Sequence, residues 1–385
     1  MKNKLDKILV QTLSMISSGQ ESLECIAYVD NIETALKNLE KDKIKVTATF
    51  PFIKALSLKL NPKKLNRLLS YNFIEYVSSQ ANVFALMNIA KKILKIDDKL
   101  TGKNVCIAYI DTGINPHLDF VLGENRIIKF IDLINNKIFA YDDNGHGTFV
   151  SGVGSGNGTV SGGKYKGIAP ESKIISIKAL NEQGEANSTK ILEAMQWVYD
   201  NNALYNIKVV CMSFGSEPLG LNDPIMKGAE ELWKIGITVV AAAGNSGPEY
   251  ETIKSPGVSP KIITVGGFND NRIDEQTFNE KFFEIAEFSS RGPALKRFKP
   301  DVIAPSVNIK SCGLSGFYTS LSGTSVATPM IAGICALTYE MNKNIKPDTI
   351  KKLLTSCSKA ITYNNNIEGF GIPNVELILK NKTGL

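Results

Sequence analysis

Histidine is nearly absent from this chain: its 385 residues include only two, His117 and His146. Any chemistry that runs through an imidazole is confined to those two positions. Long apolar runs are missing as well. None approaches the roughly 18 to 20 residues that a membrane span requires, so no membrane partner is expected. The N-terminus, Met1-Lys2-Asn3-Lys4, is basic, but the stretch from Ile8 to Ile16 is interrupted by Gln11, Thr12 and Ser14 and has no small-residue cleavage pattern. That argues against a secretory signal. The six cysteines, Cys25, Cys106, Cys211, Cys312, Cys335 and Cys357, never form Cys-x-x-Cys. This excludes a zinc ribbon or redox pair, and their apolar surroundings read as buried, reduced thiols of a cytoplasmic protein. Arginine occurs only at Arg67, Arg126, Arg272, Arg291 and Arg297, so lysine supplies most of the formal charge of +6. No basic stripe interleaved with aromatics is present, and nucleic acid is not expected as a partner.

What is present is ample core material, with 43% hydrophobic and 21% charged residues. A chain of this size can bury a full core and carry a second, smaller unit. After an N-terminal extension over 1–22, the pattern from 23 to 80 predicts a strand at Leu23–Val29, a helix at Ile32–Glu40, strands at Lys45–Thr49 and Phe52–Leu60, a helix at Pro62–Leu69 and a strand at Phe73–Val77. That is a small βαββαβ plait. A connecting segment over 81–101 follows, charged from Lys91 to Lys99.

From Gly102 to the end the texture is that of an α/β domain. Apolar strands are predicted at Val105–Ile110, Lys173–Ala179, Val209–Ser213, Ile237–Ala243 and Ile262–Gly266. Helices are predicted at His146–Gly154, Thr189–Asn201, Pro224–Lys234, Ser325–Met341 and Pro347–Ser356. Near-continuous apolar strands alternating with helices indicate a parallel sheet covered by helices on both faces. Ligands of such sheets bind beyond the carboxyl ends of the strands, where Asp111, Ser213 and Asn245 fall.

Three short strings carry the chemistry: Asp111-Thr112-Gly113 after a strand, Asn144-Gly145-His146-Gly147-Thr148, and Gly323-Thr324-Ser325-Val326-Ala327 at the start of a small-residue helix. Each alone has an ordinary explanation as a strand-end turn, a helix start or an N-cap. Asp-Thr-Gly also marks aspartic proteases, but these need a second such loop, and the chain has no other Asp-Thr-Gly or Asp-Ser-Gly. Together the strings supply a nucleophile, a base and a group to orient the base. Ser325 at a helix N-terminus has unpaired N–H groups beside it, His146 would take its proton, and Asp111 would fix the imidazole tautomer. Asn245, at the end of Val239-Val240-Ala241-Ala242-Ala243-Gly244, would add a side-chain donor to an oxyanion hole whose other donor is the Ser325 N–H.

These four motifs, with Thr328-Pro329 completing the serine string, resemble those of the subtilisin-like serine proteases over Gly102 to Met341. The resemblance implies a subtilisin-like α/β fold and endopeptidase activity on protein or peptide substrates, with no cofactor required for the chemistry. It implies that Ser213, Phe214 and Gly215 bind the substrate backbone as an added strand. Ala242, Ala243 and Gly244 would form a wall of the first specificity pocket, with Lys254, before Ser255-Pro256-Gly257, at its base. There Lys254 would favour an acidic side chain, unless its stem lines the pocket and its charge reaches solvent. The plait resembles a pro-domain that inhibits its own enzyme, with the stretch from Gln80 to Asn88 as its tail; the alternative is a permanent subdomain. Calcium binding, with Asp119 as one ligand, is also implied, but 154–166 carries no carboxylate to join it. His117 reads as a structural histidine of a surface loop. The rival functional class is an idle subtilisin-like protein that binds peptides without cutting them.

Overall fold

The computed structural model describes residues 4, 5, 9, 23–51, 54–79, 87–272 and 278–381. The chain divides into two compact units, Met1–Phe84 and Ala85–Leu385. Each has its own hydrophobic core.

In the first unit, β1 (Leu23–Val29), β2 (Lys45–Phe50), β3 (Ala55–Leu60) and β4 (Ile74–Ser79) form an antiparallel sheet in the order β2-β3-β1-β4. Two helices, α1 (Ile32–Lys41) and α2 (Pro62–Leu69), contribute Ala35, Leu39, Leu65 and Leu68 to its core. Both helices start where the sequence places a cap. Asn31 accepts from Thr34 N and Asn61 from Lys64 N, each at 2.9 Å, and Pro62 follows at the first helical position, where no N–H is needed. The predicted βαββαβ order is the observed one.

The second unit starts earlier than Gly102. Helix α3 (Met87–Ile93) lies inside the span expected to be a linker, and Ala90, Ile93 and Leu94 are buried in the larger core. The signal was an apolar spacing hidden among lysines. Of the expected inhibitory tail, Gln80 to Leu86 lie outside the described residues.

Around β5 (Cys106–Asp111), buried at every position, the large sheet runs β11-β10-β9-β8-β5-β7-β6, with β12 beside β10. Its strands are β6 (Ile127–Asp132), β7 (Lys173–Lys178), β8 (Ile207–Met212), β9 (Thr238–Ala242), β10 (Ile263–Asn269), β11 (Glu284–Ile285) and β12 (Val302–Pro305). All pairings are parallel except that of β11. Helices α4 (His146–Ser155), α5 (Ser188–Tyr205), α6 (Pro224–Lys234), α7 (Thr324–Met341) and α8 (Pro347–Ser356) accompany it. From Val326 to Tyr339 every residue of α7 is buried, as expected of a helix apolar on all sides. A hairpin, β13 (Ile309–Cys312) with β14 (Tyr318–Leu321), precedes α7. Among the described residues no helix is long and apolar enough to cross a membrane.

Candidate active site

Asp111 is the last residue of the central strand, so the sheet fixes its backbone while its side chain reaches the strand end. Its Oδ1 accepts from Thr112 N at 2.8 Å and from His146 Nδ1 at 2.7 Å. Donation from Nδ1 leaves Nε2 as the basic nitrogen of the neutral ring. Burial pulls the imidazole pKa down, but the charge and hydrogen bond of Asp111, with a further push from Asp142, hold it above the ordinary 6.5. The His146 side chain keeps 27% of its surface exposed, enough to meet a reactant.

Asp142 clamps the aspartate loop to the histidine helix. Its buried carboxylate accepts from Thr112 Oγ1 at 2.9 Å, Gly145 N at 2.8 Å, Thr148 N at 2.9 Å and Thr148 Oγ1 at 2.7 Å. Lys178, buried at the end of β7, donates to Thr112 O at 2.7 Å, Leu180 O at 2.9 Å and Asp143 Oδ1 at 2.6 Å. Sequence reasoning missed both. Their signals were a carboxylate four residues before His146 and a lysine closing an apolar strand, where only a satisfied charge is tolerated.

The α7 helix starts one residue earlier than expected, at Thr324, so Ser325 occupies its second position. Asn245 lies beyond the end of β9 and is tied to that helix start, its Oδ1 accepting from Thr324 N at 2.9 Å and Thr324 Oγ1 at 3.0 Å. Because a backbone N–H can only donate, this bond sets the amide orientation and leaves Nδ2 free to donate elsewhere. Gly323, with φ +150°, opens the space between. A Cβ there would stand 3.1 Å from Ser325 Oγ and 3.2 Å from Asn245 Nδ2, so the hydroxyl and the amide converge on one point. Ser325 N–H, in the first turn, has no hydrogen-bond partner among the described residues. Among the described residues Ser325 Oγ and His146 Nε2 make no hydrogen bond, a contact that commonly tightens only when substrate is bound.

Beyond β8, Ser213 is buried, Phe214 half-buried and Gly215 exposed. The backbones of Phe214 and Gly215 have no hydrogen-bond partner among the described residues, as an edge open to an added strand requires. Gly244 faces the same Lys254 side chain that Gly215 does, at the end of the buried residues Ala242 and Ala243. Lys254 lies between the two walls, but its ammonium is not left for a ligand: it pairs with Glu217.

One expectation is corrected. His117 is buried, not at the surface: it caps the short helical turn Leu118–Val121 through Nδ1, and its ring packs near Phe120 and Tyr318. Asp119 does not suit calcium. It is wholly buried, Oδ1 accepts from Val160 N at 2.9 Å, and Oδ2 accepts from Tyr318 at 2.8 Å and from the Cys312 thiol at 3.6 Å. Its oxygens face donors, and the neighbouring side chains are an imidazole and a thiol where calcium needs oxygen ligands.

The subtilase family model matches residues 102–371, and the chain belongs to that family. It is 39% identical over 369 residues to serine protease AprX of Bacillus subtilis (strain 168), covering 88% of this chain and 82% of that protein. To subtilisin DY of Bacillus licheniformis it is 31% identical over 278 residues, covering 71% and 90%. Among solved structures it is similar to sphericase, with a TM-score of 0.62 and 27% identity over 74% of this chain and 97% of that one. The protein is a subtilisin-like serine endopeptidase.

Proposed function

We propose that Ser325 is the nucleophile of this endopeptidase, His146 the general base and then acid, Asp111 the group that orients His146, and Asn245 Nδ2 with Ser325 N–H the oxyanion donors. The observation that carries this reading is the convergence of Ser325 Oγ and Asn245 Nδ2 on the space over Gly323, together with an imidazole held through Nδ1 by Asp111 at 2.7 Å. In the first step His146 Nε2 removes the Ser325 proton as Oγ attacks the scissile carbonyl carbon. The negative charge that develops on oxygen is met by the two donors, already oriented before the reaction and costing little reorganisation. His146 then protonates the leaving amine, and a water molecule repeats the sequence on the acyl-enzyme. Substrate backbone adds to Ser213–Gly215, and the first side chain before the cut enters the cleft between Gly215 and Ala242–Gly244. No cofactor takes part, and no calcium is held at Asp119.

The chain is made as a zymogen of the cytoplasm. Its first unit acts as an intramolecular inhibitor until the stretch between Gln80 and Asn88 is cut, which leaves α3 with the catalytic unit. The independent core of the first unit supports this, since such a unit can fold before release. Wild type incubated at length should lose an N-terminal fragment of that extent by mass spectrometry and react with a fluorophosphonate probe. Ser325→Ala should do neither while keeping its fold. An alanine variant that still cleaved casein would overturn the assignment of Ser325, and a full-length wild type with full activity would overturn the zymogen reading.

A further inference from the structure

The floor of the cleft between Gly215 and Gly244 is a built feature. The segment around Lys254 is tied to both walls: Lys254 N donates to Ala243 O at 2.9 Å, while Ser216 and Ser255 exchange backbone bonds at 2.9 and 3.0 Å. The Lys254 side chain then passes between the glycines. A Cβ added to Gly215 would come within 2.6 Å of Lys254 Cβ, and one added to Gly244 within 2.5 Å of Lys254 Cγ. The absence of side chains on both walls is what gives the lysine stem its path. Only 17% of its side chain is exposed, and its ammonium ends on Glu217, whose side chain is 80% exposed. A rigidly placed cation in the cleft is thus covered by a carboxylate on a loop at the surface.

We infer that Glu217 sets the charge preference of this cleft by holding the Lys254 ammonium as a tethered substitute for an acidic substrate side chain. This rests on the reading of the cleft as the first specificity pocket. With Glu217 in place the lysine is neutralised, and an acidic side chain before the cut must displace an existing partner. The wild type therefore favours uncharged side chains that fit above the lysine stem. Without Glu217 the ammonium is unpaired in a partly desolvated cleft, and an incoming carboxylate becomes its best partner. Glu217 acts through Lys254, as a positioning residue that does not touch the reacting atoms. A pair this exposed withholds the ammonium by no more than a factor of about five.

Four proteins decide it: the full-length wild type, Glu217→Gln, Lys254→Gly and the double variant, each assayed on a peptide series differing only in the residue before the cut. The ratio of kcat/KM for Glu over Leu should rise about fivefold in Glu217→Gln, and 1 M salt should remove most of the rise. In the Lys254→Gly background, Glu217→Gln should no longer raise that ratio, and Lys254→Gly should admit larger apolar side chains. If Glu217→Gln leaves the ratio within twofold while Lys254→Gly changes the size preference, the inference about Glu217 falls and the pocket assignment stands. If Lys254→Gly changes neither size nor charge preference, the pocket assignment itself falls.

Discussion

Thr324→Val tests whether Asn245 acts through an aimed amide. The hydroxyl removed does two things: it donates to Asn245 Oδ1 at 3.0 Å and accepts from Gly244 N at 3.2 Å. Valine keeps the shape, and the Thr324 N–H keeps its own 2.9 Å bond to Oδ1. The amide thus loses one of two restraints on its orientation. A hydrogen bond of this kind is worth about 1 kcal/mol net. If that restraint is spent on keeping Nδ2 aimed at the developing charge, turnover should fall about fivefold. Full loss of an oxyanion donor, in Asn245→Ala, should cost about 10² to 10³, a figure measured in subtilisin itself. Because the amide's work is confined to the transition state, kcat should carry the loss and KM should barely move. The Gly244 N–H left without a partner should also lower stability by about 1 to 2 kcal/mol, seen as a modest fall in Tm. The assay is steady-state kinetics on one peptide for the two single variants and the double. In the Asn245→Ala background, Thr324→Val should change kcat by less than twofold. Independent, additive losses, or a loss confined to KM, would refute the reasoning.

The pH profile follows from the raised His146 pKa. Since the base must be neutral, the acid limb of kcat/KM should have its midpoint above 6.5, and Asp111→Asn should lower both that midpoint and kcat, as a titration of each protein will read. The same pairing stabilises the fold fully below the unfolded value near 6.5 and is lost as pH rises through the folded value; the stability difference between wild type and Asp111→Asn should shrink across that window. Asp142→Ala removes the acceptor for five donors, the hydroxyls of Thr112 and Thr148 and the N–H groups of Asn144, Gly145 and Thr148, and should lower unfolding free energy by about 3 kcal/mol with a loss of kcat, measured by denaturant titration and turnover. Finally, EDTA should leave Tm within about 2 °C of its value in calcium, because the oxygens of Asp119 are already met by protein donors; a larger fall that Asp119→Asn abolishes would restore calcium to that site.

The large sheet was legible because strands buried on both faces need apolar runs, and Cys106–Asp111, Lys173–Lys178 and Thr238–Ala242 each carry one, broken only by Ser176 and by polar residues at their ends. Strands β6 and β12 were not: β6 is an edge strand, apolar at four of its six positions but only partly buried, and β12 is four residues long. The residues Asp111, His146, Asn245 and Ser325 could be selected from sequence because their neighbours dictate local shape: a strand end, a glycine-flanked helix start, a helix N-terminus. Scarcity helped, since two histidines leave little choice. Tertiary structure alone decided which way the polar atoms point. That Asn245 presents Nδ2 to Ser325 depends on Thr324, 79 positions away. That Asp142 joins two motifs depends on bonds to Thr112, 30 positions earlier. That Lys254 is already paired depends on Glu217, on a loop 37 positions before it. His117 was misread as a surface residue, because sequence marks an imidazole but not the Phe120 and Tyr318 rings that the fold packs near it; what Asp119 can still bind is likewise set by the donors that Val160 and Tyr318 bring to it. Local pattern specifies elements and candidate groups, because backbone propensity and apolar period act over a few residues. Partner identity, and so charge and reactivity, is set by contacts between segments that the fold alone brings together.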